Sequence, residues 1–216
     1  MLQKNKLLPS RPSLLDTIAH SAIQRAILSV LNVSTQDDDN FYCIDATAGN
    51  GHDTCALAKF CNDFEKMHIV ACDIQEQALM QTRMRLKDND LNAELILCGH
   101  ENIIDYLPKK FNLMGVMFNL GYLPGKDRKQ DFIITQKETT VQALKNMHEI
   151  LIPQGCISIH CYTGHTGGYE EYQAVSDFVS SLNPREWRVL KTMDINREHN
   201  LEFLFLLEKL QQKKSC

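Results

Sequence analysis

The chain has 216 residues, 44% hydrophobic and 23% charged, with a formal net charge of −4. That length fits one domain with a full core, and the charge excludes the overall basic surface of a protein built to grip long duplex nucleic acid. No run approaches the roughly 20 apolar residues of a membrane span and no signal-peptide core stands near the start, so a cytoplasmic protein is expected.

The first ten residues are polar. Residues 13–31 place Leu14, Ile18, Ile23, Ile27, Val30 and Leu31 at near-helical spacing, which predicts a helix. A polar, acidic link over 34–40 separates this N-terminal part (1–40) from a core over 41–209, within a single domain. From residue 41 the chain alternates. Strands are predicted over 41–47, 68–74, 93–99, 113–119 and 156–162. Helices are predicted from 51 to 61, over 75–87, from 100 through 106, over 135–151 and over 169–182. Two further strand-like segments, 187–195 and 201–209, close the chain. Short apolar strands alternating with helices predict a parallel sheet covered on both faces. Only five residues separate the last two strands, too few for a parallel crossover, so that pair is predicted antiparallel.

Eight cysteines are present, with no Cys-x-x-Cys pair. Cys43, Cys72, Cys98, Cys156 and Cys161 lie inside apolar runs and read as small buried hydrophobes in a reducing compartment. The spacing of a zinc site or a disulfide framework is absent, and no metal is expected.

The first strand hands over to its helix through Asp45-Ala46-Thr47-Ala48-Gly49-Asn50-Gly51-His52-Asp53-Thr54. Glycines there allow positive φ and close approach of backbone to a ligand. The third glycine of a dinucleotide fingerprint would stand at position 54, where this chain has Thr54. A carboxylate at Asp45 would repel a pyrophosphate at the helix N-terminus. It suits a ligand with no phosphate and a positive ammonium, and S-adenosylmethionine is such a ligand, whereas NAD is disfavoured. The candidate cofactor residues of this turn are Asp45, Thr47, Gly49, Asn50, Gly51, His52, Asp53 and Thr54. Asp73 closes the second strand, where an acid accepts hydrogen bonds from ribose hydroxyls and can also cap the helix that Gln75 opens, and Asp73 and Gln75 are both candidate cofactor residues. His100 and Glu101 follow the third strand, on the side expected for adenine. His100 also fits a capping or core role.

The fourth strand ends in Met117-Phe118-Asn119-Leu120-Gly121-Tyr122-Leu123-Pro124-Gly125, at the carboxyl ends where an open sheet binds its ligand. An Asn carbonyl can accept a hydrogen bond from an acceptor amine, and a Tyr face can stack on a base. Asn119 and Tyr122 are therefore candidate catalytic residues, with Gly121 beside the cofactor. Lys126, Arg128 and Lys129 follow, either to hold phosphates of a nucleic-acid substrate or as a solvated loop. After the fifth strand comes Tyr162-Thr163-Gly164-His165-Thr166-Gly167-Gly168. Tyr162 and His165 are candidate substrate contacts. Three roles fit His165: accepting a proton from the amine, binding a phosphate, or capping the next helix.

Class I methyltransferases, unlike dinucleotide dehydrogenases, end their doubly wound sheet on an antiparallel pair. The motifs 45–54, 73–75, 117–125 and 162–168 together resemble the rRNA methylase family, over about residues 41–209. The resemblance implies a Rossmann-like class I fold with seven strands and S-adenosylmethionine as methyl donor. It also implies methylation of the aminomethyl group of 5-aminomethyl-2-thiouridine at the tRNA wobble position, with the tRNA anticodon loop as partner. It carries the donor glycines onto Gly49 and Gly51, the ribose acid onto Asp73, and the acceptor-side turn onto Asn119, Gly121 and Tyr122. The chain departs from the family at Gly125-Lys126-Asp127-Arg128, where Gly-Gly-Asp-His is common. It departs again at Glu198-His199-Asn200, where a Pro-Pro pair is usual. Other acceptors fit the same fold: another RNA such as rRNA, or an amine on a small molecule or protein. Monomer and homodimer both remain open.

Overall fold

A computed structural model of the chain describes residues 13–33, 40–121, 133–196 and 201–211. The first helix, α1 (Leu14–Val33), opens on a reciprocal cap. The Asp16 backbone N–H donates to the Ser13 hydroxyl, and the Ser13 N–H to the Asp16 carboxylate, each at 3.0 Å. This satisfies two amides that a first turn otherwise leaves unpaired. Ala19, Ile23, Ile27 and Val30 form the buried stripe. Each fully buried isoleucine contributes about 1.5–3 kcal/mol of burial.

The chain then alternates. β1 (Phe41–Asp45), α2 (His52–Cys61), β2 (Met67–Asp73), α3 (Glu76–Asp88) and β3 (Glu94–Leu97) follow in turn. A 3₁₀ helix (His100–Tyr106) leads to β4 (Asn112–Asn119). α4 (Lys137–Ile150) runs directly into β5 (Leu151–Tyr162), and α5 (Gly168–Ser181) precedes β6 (Trp187–Thr192) and β7 (Glu202–Lys209). The sheet runs β3-β2-β1-β4-β5-β7-β6. β1 pairs in parallel with β2 and β4, β2 with β3, and β4 with β5. β7 runs antiparallel between β5 and β6, as the short connection requires. The order reverses between β1 and β4, which opens a crevice at their carboxyl ends.

Alternate strand residues enter two cores. Tyr42, Ile44, Val116, Phe118 and Phe205 pack with Leu144 of α4 and Val175 of α5. Cys43, Met114, Met117 and Leu204 pack on the other face with Ile23 and Ile27 of α1 and Leu57 of α2. Both faces of β1 and β4 are covered, which is why their sequences read as unbroken apolar runs. Gly115 lets α1 come close to β4. A Cβ there would meet Ile23 Cγ2 at 3.0 Å and Cys43 Sγ at 3.1 Å.

Boundaries differ from expectation where a bend intervenes. β5 begins at Leu151, five residues earlier than the apolar run at Cys156, with Gln154 at φ 70° and a register shift against β4. β6 stops at Thr192 rather than at 195, and β3 covers only Glu94–Leu97. The cysteines among the described residues are all free, and most are buried. Burial pushes the Cys156 thiol up to about 12, so it packs as a small hydrophobe. Among the described residues no helix is long and apolar enough to cross a membrane. Nor does any group of three His, Cys, Asp or Glu side chains among them suit a metal ion.

Candidate active site

The carboxyl ends of β1, β2, β4 and β5 open into a cavity of about 650 Å³. On one side lies the turn after β1. Gly49 (φ 50°) and Gly51 (φ 77°) take left-handed conformations there. A Cβ on Gly51 would stand 2.8 Å from the Thr82 backbone, so this glycine also lets α3 pack under the turn. Thr82 Oγ1 donates to the Gly49 carbonyl at 3.1 Å and Arg85 Nε to the Asn50 carbonyl at 2.7 Å. Asp73 ends β2 at the cavity wall. Its two oxygens accept the Gly49 N–H at 3.0 Å and the Gln75 N–H at 2.9 Å. Burial raises its pKa against the effect of those amides. Each oxygen keeps a lone pair for a ligand hydroxyl. Ile74 beside it lines the cavity and is 56% exposed, a free apolar face for a flat ring.

Asp45 behaves differently from the expectation. It is fully buried and does not line the cavity. Its carboxylate accepts the Thr47 N–H at 3.1 Å and the Thr54 hydroxyl at 2.6 Å, so it braces the turn from behind. Gly51 and Thr54 also stand behind the wall, for the same packing reasons. The acid that faces the cavity is Asp53, in the first turn of α2. At this helix N-terminus it is therefore Asp53, rather than Asp45, whose charge disfavours a phosphate. Thr47, Gly49, Asn50, His52, Asp73 and Gln75 do line the cavity. The imidazole of His52 is held below its ordinary pKa, by burial first and then by Arg85.

His100 and Glu101 line the far end. His100 is buried, edge-on to Phe118, 3.4 Å from Thr140 Oγ1, and its pKa is lowered by burial. It serves the core as well as the cavity wall.

The opposite side is built from β4 and β5. The Asn119 N–H donates to Thr47 Oγ1 at 2.7 Å, which ties the two turns together. Asn119 Nδ2 donates to Asp53 Oδ2 at 3.2 Å. Asp53 Oδ1 stands 2.7 Å from His20 Nε2 of α1. Tyr162 lies beside the Asn119 side chain, and its hydroxyl stands 3.3 Å from His160 Nδ1. His160 in turn pairs with Asp16 of α1 at 3.1 Å. Burial, and then the charges of Asp16, Glu202 and Asp53, raise the Tyr162 phenol well above its usual range, so it stays protonated. Gly121 takes φ 136°; a Cβ there would lie 3.5 Å from His165 Nε2 and 3.6 Å from Tyr162 Cδ2. The structure thus gathers Asn119, Gly121, Tyr162 and His165 at one end of the cavity. Tyr122, Lys126, Arg128 and Lys129 lie outside the described residues. The chain on either side of them is pinned: the Gly121 N–H donates to Thr135 Oγ1 at 2.9 Å, and the Thr135 N–H to the Gly121 carbonyl at 3.0 Å. Buried Glu171 accepts the hydroxyls of Thr135 at 2.7 Å and Thr140 at 2.6 Å.

Sequence reasoning did not single out Asp16, His20, Thr135, Glu171 or Glu202. One signal was present: Asp16 and His20 stand four residues apart, an acid and an imidazole on one face of a helix read as apolar.

The family model described as "Putative rRNA methylase" matches residues 69–208. The chain belongs to this family. A tRNA (mnm(5)s(2)U34)-methyltransferase, chloroplastic, of Arabidopsis thaliana is 37% identical over 167 residues, 71% of this chain. The chain spans 58% of that relative's length. The crystal structure of a "putative rRNA-methylase" from Clostridium thermocellum superposes with a TM-score of 0.75 at 32% identity, covering 94% of this chain and all of that one. A "putative methyltransferase" from Streptococcus mutans, solved in complex with SAH, gives 0.72 at 33% identity over 94% of this chain and 100% of its own. The fold is that of class I methyltransferases, and this rRNA methylase family member is a methyltransferase.

Proposed function

We propose that the chain transfers a methyl group from S-adenosylmethionine to the aminomethyl group of 5-aminomethyl-2-thiouridine at the tRNA wobble position. The donor is S-adenosylmethionine, and the residues of the cavity fit it. Asp73 has lone pairs for two ribose hydroxyls, Ile74 offers an apolar face to the adenine, and Gly49 and Asn50 give close backbone approach. Asp53 at the start of α2 disfavours the phosphate of a dinucleotide there. When bound, the donor supplies an electrophilic methyl on a sulfonium.

The observation that carries the acceptor reading is the Asp53–Asn119–Tyr162 cluster at the end of β4. Asp53 holds the Asn119 amide by its NH₂, which turns its oxygen away from Asp53 as an acceptor for an amine N–H. Tyr162, kept protonated, presents a neutral ring and hydroxyl beside it. A methyl transfer needs its nucleophile held in line and free of charge, and such groups position rather than react. The Arabidopsis relative, named for the methylaminomethyl-thiouridine product at position 34, supports the same acceptor. Asn119, Tyr122, Tyr162 and His165 are the proposed acceptor-side residues. Lys126 and Arg128 are proposed to meet the tRNA backbone.

Deleting the gene tests this reading. Nucleosides from the tRNA of the deleted strain should lack the wobble methylaminomethyl form and accumulate the aminomethyl precursor. An unchanged nucleoside profile would count against the proposed acceptor.

A further inference from the structure

We propose that Asp53 and His20 together take the proton that the acceptor amine must lose before methylation, which makes α1 part of the catalytic machinery. The inference rests on the amine-methylating function proposed above. An aminomethyl group resembles a lysine amine, with a pKa of about 10 in water, so it arrives as an ammonium with no lone pair at neutral pH. Asn119 has no basic site, and the Tyr162 phenol is held protonated. The acid–imidazole pair bonded to Asn119 is Asp53 with His20. Asp53 lines the cavity, one oxygen on Asn119 Nδ2 at 3.2 Å and the other 2.7 Å from His20 Nε2. Their side chains are 11% and 18% exposed, so the pair is shielded yet His20 keeps an edge toward water.

One N–H bond of the ammonium breaks and its electron pair stays on nitrogen. The proton passes to the Asp53–His20 pair and rests on the imidazole, whose charge the carboxylate offsets. The freed pair forms the N–C bond as the C–S pair returns to sulfur. The product is a secondary ammonium, and the relayed proton leaves to solvent from His20. One proton is released per methyl transferred. Asp53 touches the substrate and is the catalytic residue; His20 acts through it and is a positioning residue.

The charges around His20 set its range. Burial lowers its pKa, but the hydrogen bond and charge of Asp53 on α2, then Asp16 on its own helix and Asp45 on β1, outweigh this and raise it. His52 on α2, His160 on β5 and Glu202 on β7 lie about the same corner. A base with a pKa close to working pH is the effective one. Only the neutral imidazole accepts a proton, so the wild-type rate should fall as pH drops through the His20 pKa.

Two measurements test this. In wild-type protein without ligands, the His20 imidazole should titrate by NMR above the ordinary value of about 6.5, and Asp53→Asn should bring it down. A His20 that titrates at or below the ordinary value would overturn the proposal without any variant. Second, His20→Gln retains a neutral partner for Asp53 but cannot carry the proton. Its kcat on tRNA bearing the free aminomethyl group should fall about 100-fold near pH 7, with the Kd for S-adenosylmethionine unchanged. The deficit should shrink as pH rises toward about 10, where the amine itself loses its proton. A deficit equal at every pH, or a weakened Kd with kcat intact, would assign the pair to structure or donor anchoring and overturn the relay. If the wild-type chain leaves this tRNA unmethylated, the acceptor reading fails and the relay with it. If only the variant's pH profile matches wild type, the relay alone fails.

Discussion

The two halves of the cavity are built by different means. The donor half is held mainly by bonds to backbone groups: Asp73 accepts the Gln75 and Gly49 N–H, and Thr82 and Arg85 donate to the Gly49 and Asn50 carbonyls. The acceptor half is held by side chains brought from far away. Asp53 meets His20 across 33 positions and Asn119 across 66, and His160 meets Asp16 across 144. Backbone scaffolding of this kind tolerates most substitutions, whereas a side-chain network is only as good as each member. The donor half should therefore fail one contact at a time, and the acceptor half as a unit.

Paired variants can break that comparison. Asn119→Ala should lower turnover about 100-fold, because it unseats both Asp53 and Tyr162, while affinity for S-adenosylmethionine stays near wild type. Asp73→Ala should do the reverse. It leaves ribose hydroxyls unpaired at about 1–3 kcal/mol, or roughly 5–150-fold in Kd by calorimetry. If both variants lose only cofactor affinity, the division into halves is wrong. Glu171→Ala comes next. It leaves the buried Thr140 hydroxyl and the half-buried Thr135 hydroxyl without their acceptor, so thermal unfolding should show a loss of about 1–3 kcal/mol. Turnover should fall with it, since Thr135 pins the chain beside Gly121, and donor affinity should not.

The last effect is one of stability alone and concerns Asp45. Burial, then the charge of Asp53, raises its pKa to about 7 against the bonds from Thr54 and Thr47. The folded chain thus keeps a proton that the unfolded chain releases near pH 4. This contribution to stability is full below about pH 4 and is lost as pH rises toward 7. Denaturant unfolding should show wild type losing stability relative to Asp45→Asn across that window. A constant difference between the two would mean that Asp45 is ionised in the fold.

The comparison also explains what was legible in the sequence. The order of strands and helices was, because the interiors of β1 and β4 are apolar and the connection between β6 and β7 is too short for a parallel crossover. So was most of the donor half, because Gly49, Asn50 and Asp73 sit at strand ends that local patterns mark. Asp45 and Asp53 were not distinguishable in sequence. Both flank the same turn, and only the capture of Asp45 by Thr54 decides which one faces the cavity. Asp16 and His20, marked only by their four-residue spacing, and Glu171, marked by nothing, were missed for a different reason. Each lies on a helix whose periodicity reports only burial, and its partner is fixed by how that helix crosses the sheet. Gly115 sets that crossing for α1, and nothing in its local sequence says so.

The most direct measurement uses the purified chain, S-adenosylmethionine with an isotopically labelled methyl, and tRNA carrying the free aminomethyl group at the wobble uridine. After digestion, mass spectrometry of the nucleosides should find the label in 5-methylaminomethyl-2-thiouridine and in no other nucleoside. Label in a different nucleoside, or none in tRNA from a chain that binds S-adenosylmethionine, would contradict the proposed function.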